Sequence, residues 1–92
     1  MVIKKKIRIA NPQGLHARPA SNLVKLMNKF ESDVTVRKGG EAVNGKSIMS
    51  LMTLAANSGA VLEVEVSGPD AQEAMKAIEA FLTQNSEEDN VK

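Results

Sequence analysis

Within six residues, Gly14-Leu15-His16-Ala17-Arg18-Pro19, the chain places an imidazole two positions from a guanidinium, and His16 is the only histidine among 92 residues. A neutral imidazole has one unprotonated ring nitrogen that can act as a nucleophile. A phosphoryl group carried there brings roughly two negative charges, which Arg18 and nearby unbonded amides could hold through charge-assisted hydrogen bonds. A helix starting here would supply those amides, because its first N–H groups lack intrahelical acceptors and its dipole favours anions. Pro19 fits a first turn, where its missing N–H costs nothing. A proline also pushes the residue before it away from helical geometry, so the helix start is open between His16 and Pro19. On these residues alone the plainer reading, a helix-cap or surface histidine beside a solvated arginine, is favoured.

The rest of the chain offers His16 no obvious catalytic companion. With no cysteine and one histidine, thiolate chemistry, disulfides and multi-histidine metal sites are excluded, and no metal or other cofactor is expected. Neither a triad nor a pair of clustered carboxylates is evident. Covalent chemistry at His16 would have to borrow its catalytic groups from partners. Twelve basic against eleven acidic residues leave a net charge of +1, too little field to draw nucleic acid or an anionic membrane. Two phenylalanines, with no tryptophan or tyrosine, make no base-stacking platform. No apolar run approaches the ~20 residues of a spanning helix. Met1-Val2-Ile3 precedes Lys4-Lys5-Lys6, the reverse order of a secretory signal, so a cytoplasmic protein is expected.

The elements that must position this site follow from periodicity. Ile3, Ile7 and Ile9 alternate with Lys4, Lys6 and Arg8 in a half-buried strand, ended by the turn residues Asn11-Pro12-Gln13-Gly14. Ala20, Leu23, Val24, Met27 and Phe30 then mark one face of a helix over about His16 to Phe30. Val34 and Val36, Gly39-Gly40 and Ala42-Val43 read as a hairpin, closed by Asn44-Gly45. Leu62, Val64 and Val66 alternate with Glu63 and Glu65 in a fourth strand. Asp70 followed by Glu73 resembles a capping box, opening a helix striped by Ala71, Ala74, Met75, Ile78, Phe81 and Leu82. The order β-α-β-β-α-β-α, with every strand wet on one side, predicts an α+β open-faced sandwich: a four-stranded antiparallel sheet with three helices on one face. Residues 1–84 make one domain, and the polar, acidic 85–92 a frayed tail.

Between the hairpin and the fourth strand, Ser47 precedes Ile48, Met49, Leu51, Met52, Leu54 and Ala55, about two helical turns ending near Gly59 with Ser47 as N-cap. Six apolar residues in eight cannot share one stripe ~100° wide, so some must be exposed. Ile48, Met49 and Met52 are the candidates, while Leu51 and Leu54 suit the core.

Gly14-Leu15-His16-Ala17-Arg18-Pro19-Ala20, followed about thirty residues later by Gly45-Lys46-Ser47-Ile48-Met49, resembles the two signatures of the HPr family, the histidine-containing phosphocarriers of the bacterial phosphoenolpyruvate-dependent sugar phosphotransferase system. The resemblance covers Ile3 to about Gln84. It implies a phosphocarrier rather than an enzyme, taking a phosphoryl group from phosphorylated Enzyme I onto Nδ1 of His16 and passing it to sugar-specific IIA components. Arg18 would be the electrostatic partner of the phosphate, the backbone amides of Ala17 and Arg18 would complete its site, and His16 would cap the first helix. The motif around Ser47 resembles the regulatory serine modified by HPr kinase/phosphorylase. Ser50 departs from the glycine that kinase-regulated members often carry. A phosphate on Ser47 is expected to leave the fold intact and to repel an acidic partner from the docking residues Ile48, Met49 and Met52. A monomer without nucleic-acid partner or membrane insertion is expected. Two alternatives stand beside this reading: a nitrogen-related phosphocarrier paralogue in a regulatory relay, and a non-catalytic α+β ligand-binding module.

Overall fold

The computed structural model describes residues 1–10, 12, 14–54 and 56–84. Its elements run β1 (Val2–Arg8), α1 (Ala17–Met27), β2 (Asp33–Lys38), β3 (Glu41–Asn44), α2 (Ile48–Thr53), β4 (Val61–Ser67) and α3 (Ala71–Thr83). The sheet order is β1-β4-β2-β3, antiparallel throughout. This is the open-faced sandwich that the alternation of apolar and polar residues predicts.

Strand β4 is central, and its pairings align side chains into rows. Lys4 and Thr35 flank Glu65, and Lys6 and Arg37 flank Glu63. The open face is therefore basic on β1 and acidic on β4, while β2 presents Asp33, Thr35 and Arg37, and Arg37 Nη1 donates to Glu65 Oε1 at 2.8 Å. Partly exposed pairs of this kind contribute about 0–1 kcal/mol. The opposite face dominates the energetics: Leu62, Val64 and Val66 are fully buried with Val34, Val36 and Ile7. Each such side chain contributes about 1.5–3 kcal/mol of burial. Covering them are Ala20, Leu23 and Met27 of α1 and Ala71, Ala74, Ile78 and Leu82 of α3.

Two helix ends and one cap differ from the sequence pattern. Helix α1 stops at Met27, not Phe30, because the chain tightens there: Lys29 N–H donates to Leu26 and Phe30 N–H to Met27, three residues back rather than four. Phe30 still packs on the core from this turn, which is why the stripe looked continuous. Helix α2 ends at Thr53, with Leu54 as its C-cap. Gly59 instead turns the chain into β4, at φ +91°, with its N–H on Ile9 O. The capping box at α3 does not form. Asp70 stands at the N-cap position, but its carboxylate makes no capping bond and accepts from Glu31 N–H (2.9 Å), Ser32 N–H (3.0 Å) and Ser32 Oγ–H (2.5 Å). The predicted acidic tail 85–92, and Asn11, Gln13 and Ala55, lie outside the described residues.

Candidate functional site

The turn that delivers His16 is fixed at four points. Ile9 N–H donates to Ala60 O, Gly59 N–H to Ile9 O, Ala10 N–H to Leu82 O, and Leu15 N–H to Ala56 O, all at 2.7–2.9 Å. Gly14 makes the last contact possible. It sits at φ +60°, and a Cβ on it would lie 2.5 Å from Ala56 O and 2.9 Å from Asn57 Cα. Leu15 is buried, so the turn is anchored from inside while the next residue is turned outward.

That next residue is His16, exposed and in the N-cap position of α1 with extended backbone (φ −73°, ψ −176°). Its side chain makes no capping hydrogen bond, which leaves the imidazole uncommitted by the helix it starts. The first intrahelical bond runs from Ala20 N–H to His16 O at 2.9 Å. Ahead of Ala20, Pro19 has no N–H, so Ala17 and Arg18 hold the helix's orphan first-turn donors. Arg18 is helical despite preceding proline, which closes the question of where the helix begins. No acidic residue occupies the first turn, and Arg18 itself is exposed. An uncapped, exposed imidazole, an exposed arginine two residues on and first-turn amides without intrahelical acceptors thus stand at the exposed, positive end of an 11-residue helix. Such a surface can accept and hold a dianionic group on the imidazole.

Ser47 occupies the N-cap of α2, and its Oγ accepts from Ser50 N–H at 3.2 Å. The plain capping role read from sequence is therefore present, and Ser50 supplies the capped amide. The loop before it is tied down: Gly45 N–H donates to Val34 O, Lys46 N–H to Asn44 Oδ1, and Lys46 Nζ reaches Phe30 O at 2.8 Å. Helices α1 and α2 pack together, so α2 adjoins the helix that carries His16. Of the over-apolar stretch, Leu51 is fully buried and Leu54 is 3% exposed, whereas Ile48, Met49 and Met52 are 38%, 76% and 43% exposed. Adaptable methionines on an exposed apolar surface are a usual means of accepting several partners.

Three supporting contacts had little sequence signal. The anchor from Lys46 to Phe30 joins residues sixteen apart. Gly14 looked like turn punctuation, not a site of backbone approach. Asp70 looked like a helix cap but clamps the entry to β2, where the Ser32 hydroxyl, then the Glu31 amide, hold its carboxyl below the ordinary carboxylate range. Among the described residues no group of three or more His, Asp or Glu is placed to hold a metal ion, and no helix is long and apolar enough to cross a membrane.

Comparison with known proteins places this geometry. The family model for the PTS HPr component phosphorylation site matches residues 3–84. The phosphocarrier protein HPr of Neisseria meningitidis is 47% identical over 77 residues, 84% of this chain and 86% of that protein. The HPr-like protein Crh of Halalkalibacterium halodurans is 42% identical over 81 residues, 88% and 96% of the two chains. The crystal structure of HPr from Bacillus anthracis superposes with a TM-score of 0.86 at 37% identity, covering 88% of this chain and 96% of that one. The Neisseria meningitidis and Bacillus anthracis relatives are named as phosphocarrier proteins, and the Bacillus anthracis structure shares the fold described above. With the match spanning nearly all described residues, the chain belongs to the HPr family of phosphocarriers of the phosphotransferase system.

Proposed function

We propose that His16 is the phosphoryl acceptor, that phosphorylated Enzyme I is its donor, and that sugar-specific IIA components receive the group. Nδ1 of the neutral imidazole attacks phosphorus, the N–P bond forms as the bond to the donor breaks, and the reverse exchange delivers the group onward. Arg18 and the amides of Ala17 and Arg18 stabilise the phosphate. The observation that carries this reading is an N-cap histidine whose side chain caps nothing, set at a first helical turn whose amides, those of Ala17 and Arg18, have no intrahelical acceptor. The domain, residues 1–84, works as a cytoplasmic monomer, and Ile48, Met49 and Met52 dock its partners.

Ser47 is the regulatory site, modified by an HPr kinase/phosphorylase. A phosphate there would keep the N-cap bonds available to α2 while adding negative charge beside the exposed Ile48 and Met49. That charge slows exchange at His16 by opposing acidic partners. Incubation with phosphoenolpyruvate and Enzyme I should give an acid-labile, alkali-stable adduct that His16→Ala abolishes. Label persisting in His16→Ala would overturn the assignment. With ATP and the kinase, a distinct acid-stable phosphate should form and be lost in Ser47→Ala.

A further inference from the structure

Strand β1 pairs with β4 on one side and with no described strand on the other. Gly68 N–H donates to Met1 O and Ile9 N–H to Ala60 O, so the odd-numbered residues of β1 are the ones bonded to β4. The N–H and C=O groups of Val2, Lys4, Lys6 and Arg8 therefore point outward, a row of backbone donors and acceptors open to a further strand. The two faces beside this row differ in chemistry. On the open face Lys4 and Lys6 are exposed, and among the described residues neither has an ion-pair partner. On the helix face a groove of about 300 Å³ lies between β1 and α3. Ile3 and Met75 give it apolar surface, and two of its charged lining groups, Lys5 and Glu79, neutralise each other across 2.7 Å.

Strand β4 shows what β1 selects. Across from Lys4, Lys5, Lys6 and Ile7 it places Glu65, Val64, Glu63 and Leu62. Acidic residues thus stand beside the lysines on the open face, and apolar residues lie on the helix face. A strand on the outer edge meets the same two faces of β1, so the same alternation fits it. A second copy of β1 does not fit, because antiparallel pairing would set lysine against lysine, and like charges directly opposite are destabilising. Lysines on an edge commonly prevent such self-pairing, and the same charges favour an acidic partner.

We propose that the outer edge of β1 is a docking site for an extended acidic segment of a partner protein, bound antiparallel as a fifth strand. Acidic residues alternate with apolar ones in this segment. Its carboxylates face Lys4 and Lys6, and the apolar side chains between and beyond them enter the groove over Ile3 and Met75. Backbone hydrogen bonds to Val2, Lys4, Lys6 and Arg8 supply affinity independent of sequence, while the charge pairs and the groove supply selection. The site uses neither His16 nor the exposed apolar trio of α2.

The probe is the end-blocked heptapeptide Thr-Leu-Glu-Val-Glu-Val-Thr, titrated into the full-length chain at low salt and followed by amide NMR. With about nine-tenths of the edge occupied, the outward amides of Lys4, Lys6 and Arg8 should exchange with solvent about tenfold more slowly, because only the free tenth exchanges. The inward amides of Lys5 and Ile7 should stay as they were. The glutamine counterpart, Thr-Leu-Gln-Val-Gln-Val-Thr, should bind about fivefold more weakly, as expected for two cross-strand charge pairs. Lys4→Gln/Lys6→Gln should abolish that preference and keep the residual binding, and about 0.5 M salt should reduce the preference in the parent. Equal binding of the two peptides to the parent at low salt overturns the proposal. So does a response confined to amides outside β1, or no response up to about 5 mM peptide. Protection of the outward amides that rises with protein concentration in the absence of peptide also overturns it, by assigning the edge to a second copy.

Discussion

Gly14 and Gly39 share a backbone conformation, at φ +60° and +61°, but not an environment. A Cβ at Gly39 meets nothing within 4 Å, whereas at Gly14 it would stand 2.5 Å from Ala56 O and 2.9 Å from Asn57 Cα. Alanine at either position incurs left-handed strain of about 1–2 kcal/mol, partly offset by about 0.4–1 kcal/mol from a stiffer unfolded chain. These terms cancel when the two variants are compared. Gly14→Ala adds the clash, with backbone atoms that cannot rotate away, at about 1–3 kcal/mol. Moving them apart also stretches the 2.9 Å bond from Leu15 to Ala56, worth about 0.5–1.5 kcal/mol. Gly39→Ala should therefore cost about 1 kcal/mol and Gly14→Ala about 3–5 kcal/mol. For a domain of this size each kcal/mol lowers Tm by about 4–8 °C. Lacking tryptophan and tyrosine, the protein is best followed by far-UV circular dichroism in urea and on heating. Because the displaced turn leads into His16, phosphoryl acceptance should fall in Gly14→Ala and not in Gly39→Ala. If the two variants lose stability to within about 0.5 kcal/mol of each other, the close approach of Gly14 does not hold the turn.

Other consequences are as direct. Ser47→Ala removes the acceptor for Ser50 N–H and should cost about 1 kcal/mol in urea unfolding, while Ser47→Asp, also a good N-cap, should recover most of it and still slow phosphoryl exchange. Leu51→Ala should cost about 2–5 kcal/mol and Met49→Ala less than about 0.5 kcal/mol, yet only Met49→Ala should weaken partner docking in a titration with Enzyme I. Asp70 is held below its ordinary value, so the unfolded chain takes up its proton first as pH falls. The stabilisation is complete above the unfolded value of about 3.9 and is lost as pH drops through the lower folded value. Urea midpoints should thus show Asp70→Asn weaker than the parent at pH 7, with the gap closing below about pH 3.9; a gap independent of pH would refute the clamp.

Local pattern was sufficient for much of this protein. Alternation in β1, β2 and β4 and the stripes of α1 and α3 report burial on one side, and burial on one side is what makes a sheet open-faced. The single histidine beside Arg18 and Pro19 likewise marked the region of the helix start, though the choice between His16 and Pro19 as its first residue waited on the structure, where Arg18 is helical. The excess of apolar residues after Ser47 predicted an exposed trio by counting alone.

Contacts between distant segments were decided elsewhere. Asp70 follows the local rule for a helix cap, but the tertiary fold brings Glu31 and Ser32 to its carboxylate, and three donors outcompete one orphan amide. The tightening of α1 after Met27, the anchoring of Lys46 on Phe30 and the backbone approach at Gly14 also depend on what packs opposite. The sequence by itself determined the elements, their wet and dry faces and, through its two family motifs, the residue proposed as phosphoryl acceptor. Only the tertiary structure decided how firmly that residue's turn is held, because hydrogen-bond partners far apart in the chain are chosen by packing and not by local periodicity.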